Sequence, residues 1–114
     1  MVEGSQIDWG GHSNEADYLI GEVVDFDKAI GVALDFANIN KETLIIVTAD
    51  HETGGFTLAS DEGDYNKIKS TFSTSGHSST MVPVFAKGPG AEHFNGIYEN
   101  TEIYTKIKQL LLEE

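Results

Sequence analysis

Six side chains in this 114-residue sequence combine the chemistry of metal ligands with a place at a predicted strand end or in a glycine-rich loop: Glu3, Asp8, His12, Asp50, His51 and His77. Asp8 and His12 stand four apart around the Gly10-Gly11 pair. Asp50 and His51 are adjacent and run towards Gly54-Gly55, and His77 lies in the small-residue run Ser75-Gly-His-Ser-Ser-Thr. An aspartate and a histidine three or four positions apart, joined by one more nitrogen from elsewhere, give a zinc ion three protein ligands and leave a fourth position open. Six donors are too many for one four-coordinate ion, so the set points to more than one cation. An Asp-His pair alone is more often a solvated turn than a ligand pair. A lone imidazole in a glycine-rich loop is usually idle, and His93 belongs in that class.

The elements that must position these donors follow from periodicity. The run Leu44 to Val47 is apolar without alternation, the habit of a parallel strand covered on both faces. It ends at Asp50 and His51, and open α/β sheets place ligands outside the carboxyl ends of their strands. Consecutive strand residues face opposite ways, so for both side chains to serve one site the backbone must leave strand geometry there. Towards the start, Val2 to Ile7 reads as the tail of a short strand, with Gly10 and Gly11 in a flexible loop that carries Asp8 and His12.

A long helix follows, capped by Ser13 or Asn14. Ala16, Leu19, Ile20, Val23, Phe26, Ile30, Ala33, Leu34 and Ala37 recur along it at three and four residues. Strand, crossover helix and strand make a βαβ unit, right-handed in nearly all cases. Such a unit makes its strands parallel and delivers Asp8 and Asp50 to one sheet edge.

Beyond Gly55, Phe56 to Ser60 reads as a short strand, and Asp61 to Thr74 as turn-rich surface with a weak helical tendency near Tyr65 to Ile68. Met81 to Ala86 is a further strand whose Pro83 suggests an edge position. Asn100 or Thr101 caps a last helix with the stripe Ile103, Ile107, Leu110 and Leu111. The expected architecture is therefore a single α/β domain over residues 1–114, with a βαβ unit, further strands and a C-terminal helix.

Composition narrows the partners. Hydrophobic content of 39% and charged content of 23% are those of a folded globular chain. A domain of this size buries roughly two-thirds of the surface of its unfolded chain, which leaves little margin in the core. The basic residues are seven lysines with no arginine, against 19 acids, for a net charge of −12. That balance argues against nucleic acid or an anionic membrane surface as partner, and divalent cations are one way to neutralise it. Without cysteine, any metal must sit on nitrogen and oxygen. No apolar run approaches membrane-spanning length.

Three stretches together carry a resemblance. Met1-Val-Glu-Gly-Ser-Gln-Ile-Asp-Trp-Gly-Gly-His, Val47-Thr-Ala-Asp-His-Glu-Thr-Gly-Gly, and Gly76-His77 followed by Val82-Pro-Val-Phe-Ala-Lys-Gly-Pro-Gly-Ala resemble the C-terminal third of alkaline phosphatases. The likeness runs through to the last helix, and the implied fold is part of the sandwich of that family. It implies that Asp8, His12 and His77 hold one catalytic zinc, that Asp50 and His51 hold a second, and that Glu3 holds magnesium. In such enzymes two zinc ions clamp a phosphate monoester and activate a serine nucleophile.

The nucleophilic serine, a shared aspartate, a magnesium-binding threonine and a phosphate-gripping arginine of the family pattern have no counterpart among these residues. The resemblance is therefore to a C-terminal portion, expected to be inactive by itself, to self-associate through unpaired strand edges, and to act in a periplasmic or extracellular setting. Related metal-dependent phosphodiesterases, sulfatases and phosphoglycerate mutases share the metal shell, and a non-catalytic metal-binding module is the rival from another class.

Overall fold

The computed structural model describes residues 1–112. Along these, two helices are followed by six short strands, a 3-10 turn and a last helix, and the residues group into two compact units. Helix α1 is Ser5–Ser13 and helix α2 is Ala16–Ile39; the first unit takes Met1–Ala29 with His51–Met81, the second Ile30–Asp50 with the chain from Val82 onward.

In the first unit the expected N-terminal strand is absent. Ser5–Ser13 is helical, and Gly10 and Gly11 are buried inside the helix instead of forming a loop. Glycine in a helix interior costs about 1 kcal/mol relative to alanine, and here tertiary packing overrides that preference. A Cβ on Gly10 would lie 2.9 Å from the backbone nitrogen and Cα of Leu19, and one on Gly11 would lie 2.9 Å from the Thr53 carbonyl oxygen. The two glycines are the surface against which α2 and a later strand close in. Asn14, at φ 55°, ends α1 in the left-handed region that asparagine tolerates, and the Glu15 amide reaches back to the Gly10 carbonyl at 3.1 Å. The sharp corner sends the chain straight into α2. Gly10→Ala is expected to lower stability by about 1–3 kcal/mol through overpacking against main chain. A reduced urea midpoint would register it; an unchanged midpoint would mean that α1 moves off Leu19 without cost.

The rest of this unit is two small ladders. Strands β2 (Glu52–Thr53) and β5 (His77–Ser78) pair antiparallel, with Thr53 opposite His77 and Glu52 opposite Ser78. Strands β3 (Thr57–Asp61) and β4 (Asp64–Thr71) form a hairpin. Its two-residue turn, Glu62 at φ 48° and Gly63 at φ 83°, has both residues left-handed, the twist that suits a tight hairpin. The region expected to be turn-rich with a helical tendency is thus a strand over Tyr65 to Ile68. Pairing of Ile68 to Thr71 with Thr57 to Ser60, and of Asp64 with Asp61 across the irregular step at the turn, holds the run between them in the hairpin where local propensity is indifferent.

In the second unit β1 (Ile45–Thr48) pairs antiparallel with β6 (Val84–Lys87), from Ile45 opposite Lys87 to Thr48 opposite Val84. The expected βαβ unit is therefore not formed. Its first strand is helix α1, and β1 finds its partner in the strand that follows Pro83. A 3-10 turn at Ala91–Phe94 buries Phe94, and helix α3 (Glu102–Leu112) closes the chain as expected. Lys106 ties the two together: its ammonium donates to the His93 carbonyl at 2.9 Å and sits 4.4 Å above the Tyr98 ring.

The core is thin. Among the described residues only Leu19, Ala37 and Phe94 are buried hydrophobics, while Val32, Phe36 and Ile39, at i, i+4 and i+7 on α2, are 72%, 59% and 86% exposed. Helix α2 thus carries apolar side chains both where it packs and where it meets solvent, a pattern of helices enclosed on all sides. No described helix is long and apolar enough to cross a membrane.

Candidate metal centre

Helix α1 puts Asp8 and His12 one turn apart on the same face, because residues four apart on a helix are neighbours. The Asp8 Oδ2 to His12 Nε2 distance is 3.4 Å. The β2–β5 ladder brings His77 across from Thr53, next to the same face. His77 Nε2 lies 3.2 Å from His12 Nε2 and 3.6 Å from Asp8 Oδ1. The ligand atoms of Asp8, His12 and His77 all lie within 4.8 Å of one another. Zinc ligands at about 2.0–2.1 Å in tetrahedral geometry stand about 3.3–3.4 Å apart; the 3.2 Å between the two Nε2 atoms is close to such an edge, while each imidazole approaches a different oxygen of Asp8, His12 at Oδ2 and His77 at Oδ1. The three side chains are 36–49% exposed, open enough for a ligand to reach them.

Hydrogen bonds select which ring nitrogens face this point. His12 Nδ1 is 2.7 Å from the Ser75 carbonyl oxygen, which can only accept, so Nδ1 carries the proton and Nε2 keeps its lone pair for a cation. Metal-bound histidines characteristically donate their second nitrogen in this way. The Asn14 amide lies 3.0 and 2.8 Å from the carbonyls of Gly11 and Thr74, and with its nitrogen assigned to that side it donates to both, which would tie the end of α1 to the loop that supplies Ser75.

His51 joins from the other side: its ring stacks on that of His77 with centroids 3.6 Å apart and planes 23° from parallel. Of the six expected donors, Asp8, His12 and His77 form one group with His51 stacked against it. Glu3 is exposed ahead of α1, and Asp50 is exposed at the bend after β1; neither is a member of that group. Among the described residues His93 belongs to no such group, with Glu92 4.0 Å away at the edge of an ion pair. The step that brought Asp8 and Asp50 to one strand edge fails, since Asp8 rides on a helix.

Two side chains beside the donors went unread in the sequence. The Thr53 hydroxyl contacts Asp8 and His51, and Glu52, on the opposite side of β2, accepts from the Phe56 amide at 3.1 Å and from the Ser78 hydroxyl. Glu52 thereby pins β2 to β5 and fixes the register that sets His77 opposite Thr53. The signal was present in the order Asp-His-Glu-Thr: strand alternation sends His51 and Thr53 one way and Glu52 the other.

A mixed α/β scaffold gathers two imidazoles and a carboxylate into a group that could hold a divalent cation. A family model described as alkaline phosphatase matches residues 1–68. The chain belongs to the alkaline phosphatase family. It is 32% identical to alkaline phosphatase 4 of Bacillus subtilis (strain 168) over 97% of this chain and 39% of that protein. It is 36% identical to alkaline phosphatase H of Pseudomonas aeruginosa (strain UCBPP-PA14) over 97% of this chain and 27% of that one. Among solved structures, the alkaline phosphatase of the Antarctic bacterium TAB5 superposes with a TM-score of 0.92 at 61% identity, covering 95% of this chain and 33% of that chain. A variant of that Antarctic enzyme holds magnesium in its M3 site. The chain thus spans about a third of the length of these relatives.

Proposed function

We propose that these residues are the metal-binding rim of a zinc- and magnesium-dependent phosphate monoester hydrolase. The observation that carries this reading is the convergence of the Asp8 carboxylate with the Nε2 atoms of His12 and His77, one ligand atom from each lying within 4.8 Å of the others. Asp8, His12 and His77 would hold one zinc, Asp50 and His51 would contribute to a second, and Glu3 would serve magnesium. Bound cations of this kind neutralise the charge of a phosphoryl group and sharpen a nucleophile at neutral pH.

The chain's own residues do the positioning. Helix α1 fixes the Asp8–His12 pair, Ser75 holds the His12 ring with Nε2 outward, and the β2–β5 ladder sets His77. A net charge of −12 is partly offset when cations fill the rim. A periplasmic or extracellular location belongs to the same reading and rests on the family.

The first zinc has three protein ligands here, whereas the second zinc and the magnesium each lack at least one, and the nucleophile segment has no counterpart in these residues. The 114-residue chain, loaded with zinc, dialysed and assayed for metal, is expected to retain one zinc. With zinc and magnesium added it should hydrolyse a phosphate monoester no faster than a metal blank. Two retained zincs, none, or hydrolysis well above the blank would each contradict this.

A further inference from the structure

The Thr53 hydroxyl lies between two donor side chains, and the count of its protons decides the direction of both contacts. Its Oγ1 is 2.5 Å from Asp8 Oδ1 and 3.3 Å from His51 Nδ1. A carboxylate can only accept, so the single hydroxyl proton goes to Asp8. Towards His51 the same oxygen can then only accept, which requires the proton of the neutral His51 ring to sit on Nδ1 and leaves Nε2 as the nitrogen with the lone pair.

From this we infer that Thr53 is a positioning residue that couples the two donor groups. One hydroxyl holds the Asp8 carboxylate between the His12 and His77 imidazoles and at the same time selects the His51 tautomer in which Nε2 can bind a cation. This inference rests on the metal-binding reading above for its consequence, but not for its geometry.

His12 receives its Nδ1–H tautomer from the Ser75 carbonyl, and His51 receives the same tautomer from Thr53. The device differs because a threonine, unlike a carbonyl, passes on the polarity of a second group: if Asp8 did not take the proton, Thr53 could donate to His51 and favour the other tautomer. Orientation of the second donor is therefore conditional on the first. Thr53 also has a packing role, since the backbone of Gly11 closes on its methyl and carbonyl so tightly that a Cβ there would meet both within 3.0 Å. Any test must separate methyl from hydroxyl.

Thr53→Val keeps the methyl and removes the hydroxyl; Thr53→Ser does the reverse. The metal-free full chain, held in mildly alkaline buffer, reports the tautomer through the nitrogen shifts of His51 in long-range nitrogen–proton NMR. Zinc affinity is read separately by calorimetry with zinc alone. Wild type and T53S should show His51 protonated at Nδ1, whereas T53V should lose that bias and bind zinc about 10–100-fold more weakly, the usual cost of removing an outer-sphere partner.

Protonation of wild-type His51 at Nε2 would overturn the proposal, as would a T53V variant matching wild type in tautomer and affinity. Loss in T53S with retention in T53V would also overturn it, assigning the role to the methyl. If wild type bound no zinc, the metal reading would fall, while the metal-free tautomer comparison would still decide what Thr53 does.

Discussion

Replacing His77 with alanine is expected to weaken zinc binding by about two to three orders of magnitude. The apparent free energy of a four-ligand zinc site is about 10–16 kcal/mol, so one ligand accounts for roughly 2.5–4 kcal/mol, and each 1.4 kcal/mol is a factor of ten. His77 is the sensitive choice because it alone comes from a segment remote from α1, lying 65 residues from His12. Without it, Asp8 and His12 remain as a helical pair, which holds a cation weakly. Calorimetric titration of wild type and H77A with zinc measures the difference directly. His93→Ala, at an imidazole outside the donor group, should leave the affinity unchanged. Equal affinities for wild type and H77A would remove the proposed first zinc site.

Self-association is the second large expected effect. In sedimentation velocity the isolated chain should show a weight-average coefficient that rises with concentration. The reason is exposed apolar surface: Val32, Phe36 and Ile39 on α2, and Phe85 on β6 at 64%, are left in water. Full burial of such a side chain is worth about 1.5–3 kcal/mol. Strand β1 has a single ladder neighbour among the described residues, β6, and its unalternated apolar run is only half-buried. Sheet edges of this kind recruit further strands. Val32→Glu combined with Phe36→Glu should shift the distribution towards monomer, because a carboxylate pair on that stripe cannot be desolvated cheaply. A wild-type chain that sediments as one monomeric species across the concentration range would refute the expectation.

How much of this was legible depended on which force decides each segment. Helices α2 and α3 and strands β1 and β6 were readable because hydrophobic periodicity and apolar runs are local signals. Helix α1 was not, since a Gly-Gly pair marks a loop by propensity, and only the closeness of Leu19 and Thr53 explains why glycine is needed inside a helix. Strand β4 was hidden for a related reason: the stretch Asp64 to Thr71 has no strong preference of its own, and the left-handed Glu62-Gly63 turn commits it to the hairpin. The βαβ inference fell with α1, yet the grouping of Asp8, His12 and His77 came from the motif resemblance and did not depend on it. Thr53 and Glu52 escaped notice because a threonine and a glutamate beside an Asp-His pair look like ordinary strand residues until their hydrogen bonds are seen.

The 65-residue separation between His12 and His77 has a thermodynamic side. A cation gripped by both acts as a removable cross-link, closing a loop that the unfolded chain would otherwise leave open. In the chain-entropy treatment used for disulfides, a closure of that length is worth roughly 4 kcal/mol. For a chain with three buried hydrophobic side chains among its described residues, ionic supply in the surroundings would then govern by mass action how much of the folded form persists.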